Sequence, residues 1–138
     1  MHRFSTAAVA ILAAALLASC GASPADTAAA DARKACVYFG SGEGNTSSEG
    51  QSDPNETDWT NLASGTDHAT NIAARAARAD RRWQRLADAF STLYRYVEAK
   101  ATERDTTGYS TPWTPEEKEQ VLALTDTLES DCRVARVD

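Results

Sequence analysis

The chain lacks most residues that do chemistry. It has three cysteines, two histidines and one methionine in 138 residues, and four prolines. No CxxC pair is present, which removes a thioredoxin-like redox motif. No GxSxG, HExxH or phosphate-cradling glycine loop occurs either, so the usual nucleophilic, zinc and nucleotide signatures are missing and the chain is read as a non-enzyme with no cofactor. Carboxylate pairs at helical spacing, such as Glu116 with Glu119, read as solvated faces. The one histidine past the N-terminal segment, His68, has Asp67 and Asn71 nearby but no second histidine or free cysteine, so no metal site is expected and His68 is read as solvated beside a helix-capping Asp67.

Basic residues are also short. The whole chain carries 14 Lys and Arg against 20 Asp and Glu, a formal charge of −6. That balance argues against nucleic acid as a partner and against a general attraction to anionic lipid.

Apolar runs are short as well. The longest covers roughly Phe4 to Ala18, broken only by Ser5 and Thr6, and falls below the roughly 20 residues of a spanning helix. Met1-His2-Arg3 supplies a positive start, and small residues precede Cys20, so residues 1–19 read as a signal peptide. Leu17-Ala18-Ser19-Cys20 resembles a bacterial lipobox, with all four places filled. The resemblance implies a diacylglyceryl group on the Cys20 thiol and cleavage that leaves Cys20 first. Gly21 follows rather than the Asp of a Gram-negative inner-membrane retention signal. The Ala- and Arg-rich style further resembles the small lipoproteins of high-GC actinobacteria, which implies anchoring on the extracytoplasmic face of the cell membrane. Two or more acyl chains hold a protein on a bilayer almost permanently.

With Cys20 committed to lipid, Cys36 and Cys132 remain, 96 positions apart. An exported chain favours a disulfide between them, over two buried free thiols or a redox pair. Closing a loop of that length contributes about 4–5 kcal/mol in the chain-entropy account.

The rest is one small domain, residues 25–138, behind a tether at 20–24. Ala29, Ala32, Cys36 and Phe39 form a helical stripe, giving a first helix over 24–39, with Ser23 as cap, Pro24 at the first position and Asp26 favouring that end. Residues 40–57 hold Gly, Ser, Asn and four acids without one Lys or Arg, and read as a mobile acidic loop. Its Asp53–Asp58 run resembles the start of a calcium loop but lacks the sixth-place glycine and the closing glutamate. Two sequons, at Asn45 and Asn55, carry little weight in a bacterial protein.

A helical turn at 58–63 precedes Gly65, and Thr66 is positioned to cap the main element at 66–104. There Ala69, Ile72, Ala76, Ala79, Trp83, Leu86, Phe90, Leu93 and Val97 alternate steps of three and four, which favours one unbroken helix. Asp80 offers the alternative of a bend. Small residues predict a close-packed end near Ile72 and a thick core near Phe90. Thr114-Pro115-Glu116-Glu117 is a capping box opening a last helix over 114–135, with Val121, Leu124, Leu128, Cys132 and Ala135 inward. The expected architecture is all-α: a three-helix bundle with a long central helix, stapled by Cys36–Cys132.

Arg75, Arg78, Arg82 and Arg85 step three, four and three, and Arg81 joins them. These five form a candidate anion-binding patch, for phosphate-bearing polymer, lipid headgroup or an acidic protein. Opposed to this is internal pairing with Glu116, Glu117, Glu119, Asp126 and Glu129. Trp59 and Trp113, read as loop residues flanking helix starts, are candidates for an exposed aromatic surface. Function is expected to be non-catalytic binding at the envelope, to a protein or cell-wall polymer. The alternative is a carrier with an apolar groove near Trp83 and Phe90.

Overall fold

A computed structural model describes residues 22–40 and 57–137. The signal segment, the lipobox with Cys20, most of the acidic loop, the calcium-like run up to Glu56 and both sequon asparagines lie outside the described residues.

The described residues are helical, without strands. There are four helices rather than three: α1 (Pro24–Gly40), α2 (Trp59–Ala79), α3 (Gln84–Thr107) and α4 (Pro115–Val137), with a single 3-10 turn, Arg81–Trp83, between α2 and α3. The expected single central helix is therefore two. Asp80 leaves helical geometry at φ −147°, ψ 115°, and its carboxylate accepts from the Arg82 N–H at 3.0 Å. Its own N–H still closes α2 on the Ala76 carbonyl at 2.8 Å, so one residue ends a helix and caps the next.

The chain reverses at this corner. Tyr38 lies on His68 and Asp31 pairs with Arg75, so α1 and α2 are antiparallel. Arg85 reaches Asp131 while Tyr96 donates to Gln120, so α3 and α4 are antiparallel too. An up-down-up-down bundle results. The physical reason for the reversal is length. An unbroken helix over 66–104 would run about 55 Å, whereas α1 and α4 span about 25 and 35 Å and cannot cover its stripe. Folding the stripe in half lets α2 and α3 bury each other. Ala79 alone on the stripe is exposed, at the corner.

Two packing styles share the core. Ala28, Ala29, Ala32 and Ala35 of α1 meet Ala69, Ile72, Ala73 and Ala76 of α2 in a seam of small side chains. Trp83 of the 3-10 turn, Leu86, Phe90, Leu93 and Val97 of α3, and Val121 and Leu128 of α4 supply the bulk. Ile72 and Phe90 thus belong to one core, not to opposite ends of a rod. Cys36 and Cys132 form the disulfide, with Cα atoms 5.5 Å apart, and bond α1 to α4.

The caps fix the ends. Ser23 Oγ accepts from the Asp26 N–H, and Asp26 accepts from both the hydroxyl and the N–H of Ser23. Thr114 and Glu117 exchange the same reciprocal bonds at 3.2 and 2.8 Å. At α2 the expectation fails. Asp58, not Thr66, is the cap, accepting from the Asn61 N–H, and the helix runs through Gly65. Thr66 is buried and its hydroxyl donates back to the Leu62 carbonyl at 2.6 Å. A mid-helix glycine costs about 1 kcal/mol. Burying Trp59 at the start of the same helix offsets that.

Candidate functional site

The arginines surround the Asp80 corner. Because the helix breaks there, Arg75 and Arg78 lie in the last turns of α2, Arg81 and Arg82 in the 3-10 turn and Arg85 in the first turn of α3, so the five share a corner rather than one helical face. All five are exposed.

Three are paired, and not with the partners expected. Arg75 grips Asp31 of α1 through two nitrogens, at 3.2 and 3.3 Å. Arg82 meets Asp80 at 2.8 Å and lies over the Trp83 ring, 4.8 Å from its centroid. Arg85 forms a two-nitrogen contact with Asp131, whose residue is only 6% exposed. Hydrogen bonding to Asp131, and then that carboxylate's charge, raises the Arg85 guanidinium further above its ordinary value. The antiparallel course of α4 explains the miss: it carries Glu116, Glu117 and Glu119 to the other end of the bundle, away from the corner. Arg78 and Arg81 make no ion pair among the described residues.

The same topology gathers more charge at this end. α4 finishes beside the start of α3, so Arg133 and Arg136, both exposed, join the corner, also without an ion pair among the described residues. Their signal in the sequence is plain only once α4 is known to run antiparallel to α3. The overall negative charge conceals an unequal division. The half that packs on α1 (residues 22–40, 68–93 and 127–137) holds nine Lys and Arg against six Asp and Glu. The other half (57–67 and 94–126) holds four against nine. At the corner the carboxylates of Asp31, Asp80 and Asp131 turn inward to pairs, while the guanidinium groups stay out in water.

The far end is built differently. Trp59 is buried against Trp113, ring centroids 5.8 Å apart, so the expected exposed aromatic surface is instead a packed pair. Lys100 is 7% exposed and reaches Thr111 at 3.2 Å and Glu103 at 3.4 Å. Ser110 donates to the Lys100 carbonyl, and Thr111 to Glu103 at 2.8 Å. The Thr111 hydroxyl holds the Glu103 carboxyl below its ordinary range. This network ties the α3–α4 connection down. Sequence reading missed it because a lysine on a heptad helix looks solvated; the only signal is its place one turn past Val97 on the buried side.

His68 is exposed in mid-α2, edge-on to Tyr38 with centroids 4.7 Å apart. Asp67 does not cap a helix; it accepts from Asn71 at 3.1 Å. Trp83 and Phe90, named for an apolar groove, are core side chains, 3% and 1% exposed. Among the described residues no group of three or more His, Cys, Asp or Glu is placed to hold a metal, and no helix is long and apolar enough to cross a membrane. No protein-family model matches the chain, and neither the curated proteins nor the solved structures provide a match.

Proposed function

We propose that this chain is a lipid-anchored extracytoplasmic lipoprotein that acts by binding, without catalysis, at the cell envelope. The observation that carries this reading is Leu17-Ala18-Ser19-Cys20 at the close of a short apolar run with a basic start. Cys20 then lies four residues before α1, and the bundle hangs directly from its anchor. The disulfide supports it, since such bonds persist in oxidising compartments. The binding part of the reading draws on the corner arginines, where Arg78 and Arg81 present fixed positive charge to an anionic group. Partners of the module are an envelope protein or a cell-wall polymer. Trp83 and Phe90, which would line the groove of a carrier, are packed in the core.

The test is fractionation of cells expressing the wild type and Cys20→Ser. The expected result is wild-type protein in the membrane fraction and the variant released from it. A variant that stays on the membrane contradicts the anchor. For the binding part, Arg78→Ala with Arg81→Ala should weaken retention on an immobilised anionic polymer; unchanged retention removes the corner from the reading.

A further inference from the structure

Besides the corner, the molecule carries the packed Trp59–Trp113 pair and the exposed apolar side chains Val37 and Val134 beside the disulfide. Only the corner has both a chemistry and a reason to meet a particular occupant.

We infer that the arginine corner is the face on which the bundle sits against anionic phospholipid headgroups, so that the domain stands on the membrane in a fixed orientation with its Trp59–Trp113 end outward. This rests on the reading of Cys20 as the lipid anchor. α1 is antiparallel to α2, so its first residue lies at the end where α2 stops, the same end as Asp80 and the α4 terminus. Only four steps separate Cys20 from Pro24, at most about 14 Å of extended chain. The anchor therefore holds this end, and no other, next to the bilayer.

The charge at that end suits the surface. Arg78, Arg81, Arg133 and Arg136 are exposed and make no ion pair among the described residues; Arg82 and Arg85 add their outward edges while their carboxylate partners turn inward. Among the described residues, the exposed acids there are Asp26, Asp88 and Glu129. Salt decides which charges count. The acidic end is about 30 Å away, the length of α2, whereas charges are screened over about 8 Å at physiological ionic strength. The bilayer therefore meets the local arginines and not the net charge of the chain. Basic residues beside an anchor add to membrane attraction, and here they also set orientation.

The test uses the mature protein as purified from membranes, placed in vesicles of phosphatidylcholine alone or mixed in equal parts with phosphatidylglycerol. Arginines are modified with phenylglyoxal and followed by mass spectrometry. Arg78, Arg81, Arg133 and Arg136 should react about fivefold more slowly on the anionic vesicles. Arg95, in the far half, should be unaffected, and about 1 M salt should abolish the protection. Equal rates on both vesicles overturn the inference while leaving the anchor intact. Protection by soluble polyphosphate on neutral vesicles, with none from phosphatidylglycerol, assigns the corner to a polymer and overturns the membrane assignment. Intact mass of the same sample separates the two readings: a chain without lipid on Cys20 overturns both.

Discussion

The two ends of this bundle solve the same problem with different materials. At the Asp80 end, α1 and α2 approach through alanines, the chain turns in one extended residue and a 3-10 turn, and a disulfide bonds α1 to α4. The surface there is cationic. At the far end α1 is gone, the connections are longer, and stability comes from Trp59 against Trp113 and from the buried Lys100 network. The surface there is acidic. The difference teaches that a net charge says little about a helical protein whose charges sort by end. What matters is which end a partner meets within a screening length.

The largest expected effect comes from removing the staple. Cys36→Ala with Cys132→Ala should cost about 4–5 kcal/mol, from the loop-closure entropy of the unfolded chain. Urea denaturation measures it, and a loss under 1 kcal/mol would mean that the alanine seam holds α1 unaided. The far end is probed by Trp59→Ala, which removes a buried aromatic and half of the tryptophan pair. Its cost should be about 3–5 kcal/mol, read by the same denaturation curve. A smaller loss would show that the far end contributes little to the core.

The seam itself is tested by overpacking. Ala32→Leu places a large side chain where α1 and α2 touch through fully buried alanines, and should cost about 1–3 kcal/mol. If it is tolerated, the seam is not close-packed. Gly65→Ala should act in the opposite direction. An added Cβ there has no heavy atom within 4 Å, so the exchange should stabilise α2 by about 0.5–1 kcal/mol, seen as a raised Tm.

Acid should weaken both ends modestly. Hydrogen bonds from the hydroxyl and N–H of Ser23 lower the Asp26 pKa from 3.8, and the Thr111 hydroxyl lowers that of Glu103 from 4.5. Each folded pKa lies below its unfolded value. Each contribution is therefore present above that unfolded value and lost as pH falls through the folded one. Asp26→Asn and Glu103→Gln should flatten the fall in Tm below about pH 4. If either substitution leaves the acid limb of the profile unchanged, that carboxylate is not a source of the sensitivity.

Much of this fold is written locally. Ser23 with Asp26 and Thr114 with Glu117 are short-range pairs, and both caps form as their spacing implies. Cys36 and Cys132 sit on apolar stripes, so their partnership follows from burial. The reversal at Asp80 was not legible in the periodicity. A stripe that steps three and four serves one long helix and a folded hairpin equally well, because both keep the apolar side in phase. Partner lengths decide between them, and those are global. Gly65 misled for a similar reason: a glycine looks like a stop when the tertiary burial of Trp59 and Thr66 is unseen. For the arginines, residue type and exposure were legible but partners were not. Asp31, Asp80 and Asp131 come from three separate elements and meet the cluster only after α1, the corner and α4 are in place.

The central claim is that the bundle is tied to lipid through Cys20 and stapled through Cys36–Cys132. Intact mass of the mature protein, before and after reduction with thiol alkylation, tests it most directly. The account predicts a chain that begins at Cys20, carries a diacylglyceryl-sized addition, and exposes two alkylatable thiols only after reduction. A chain without lipid, or one whose Cys36 and Cys132 alkylate in the native state, would contradict it.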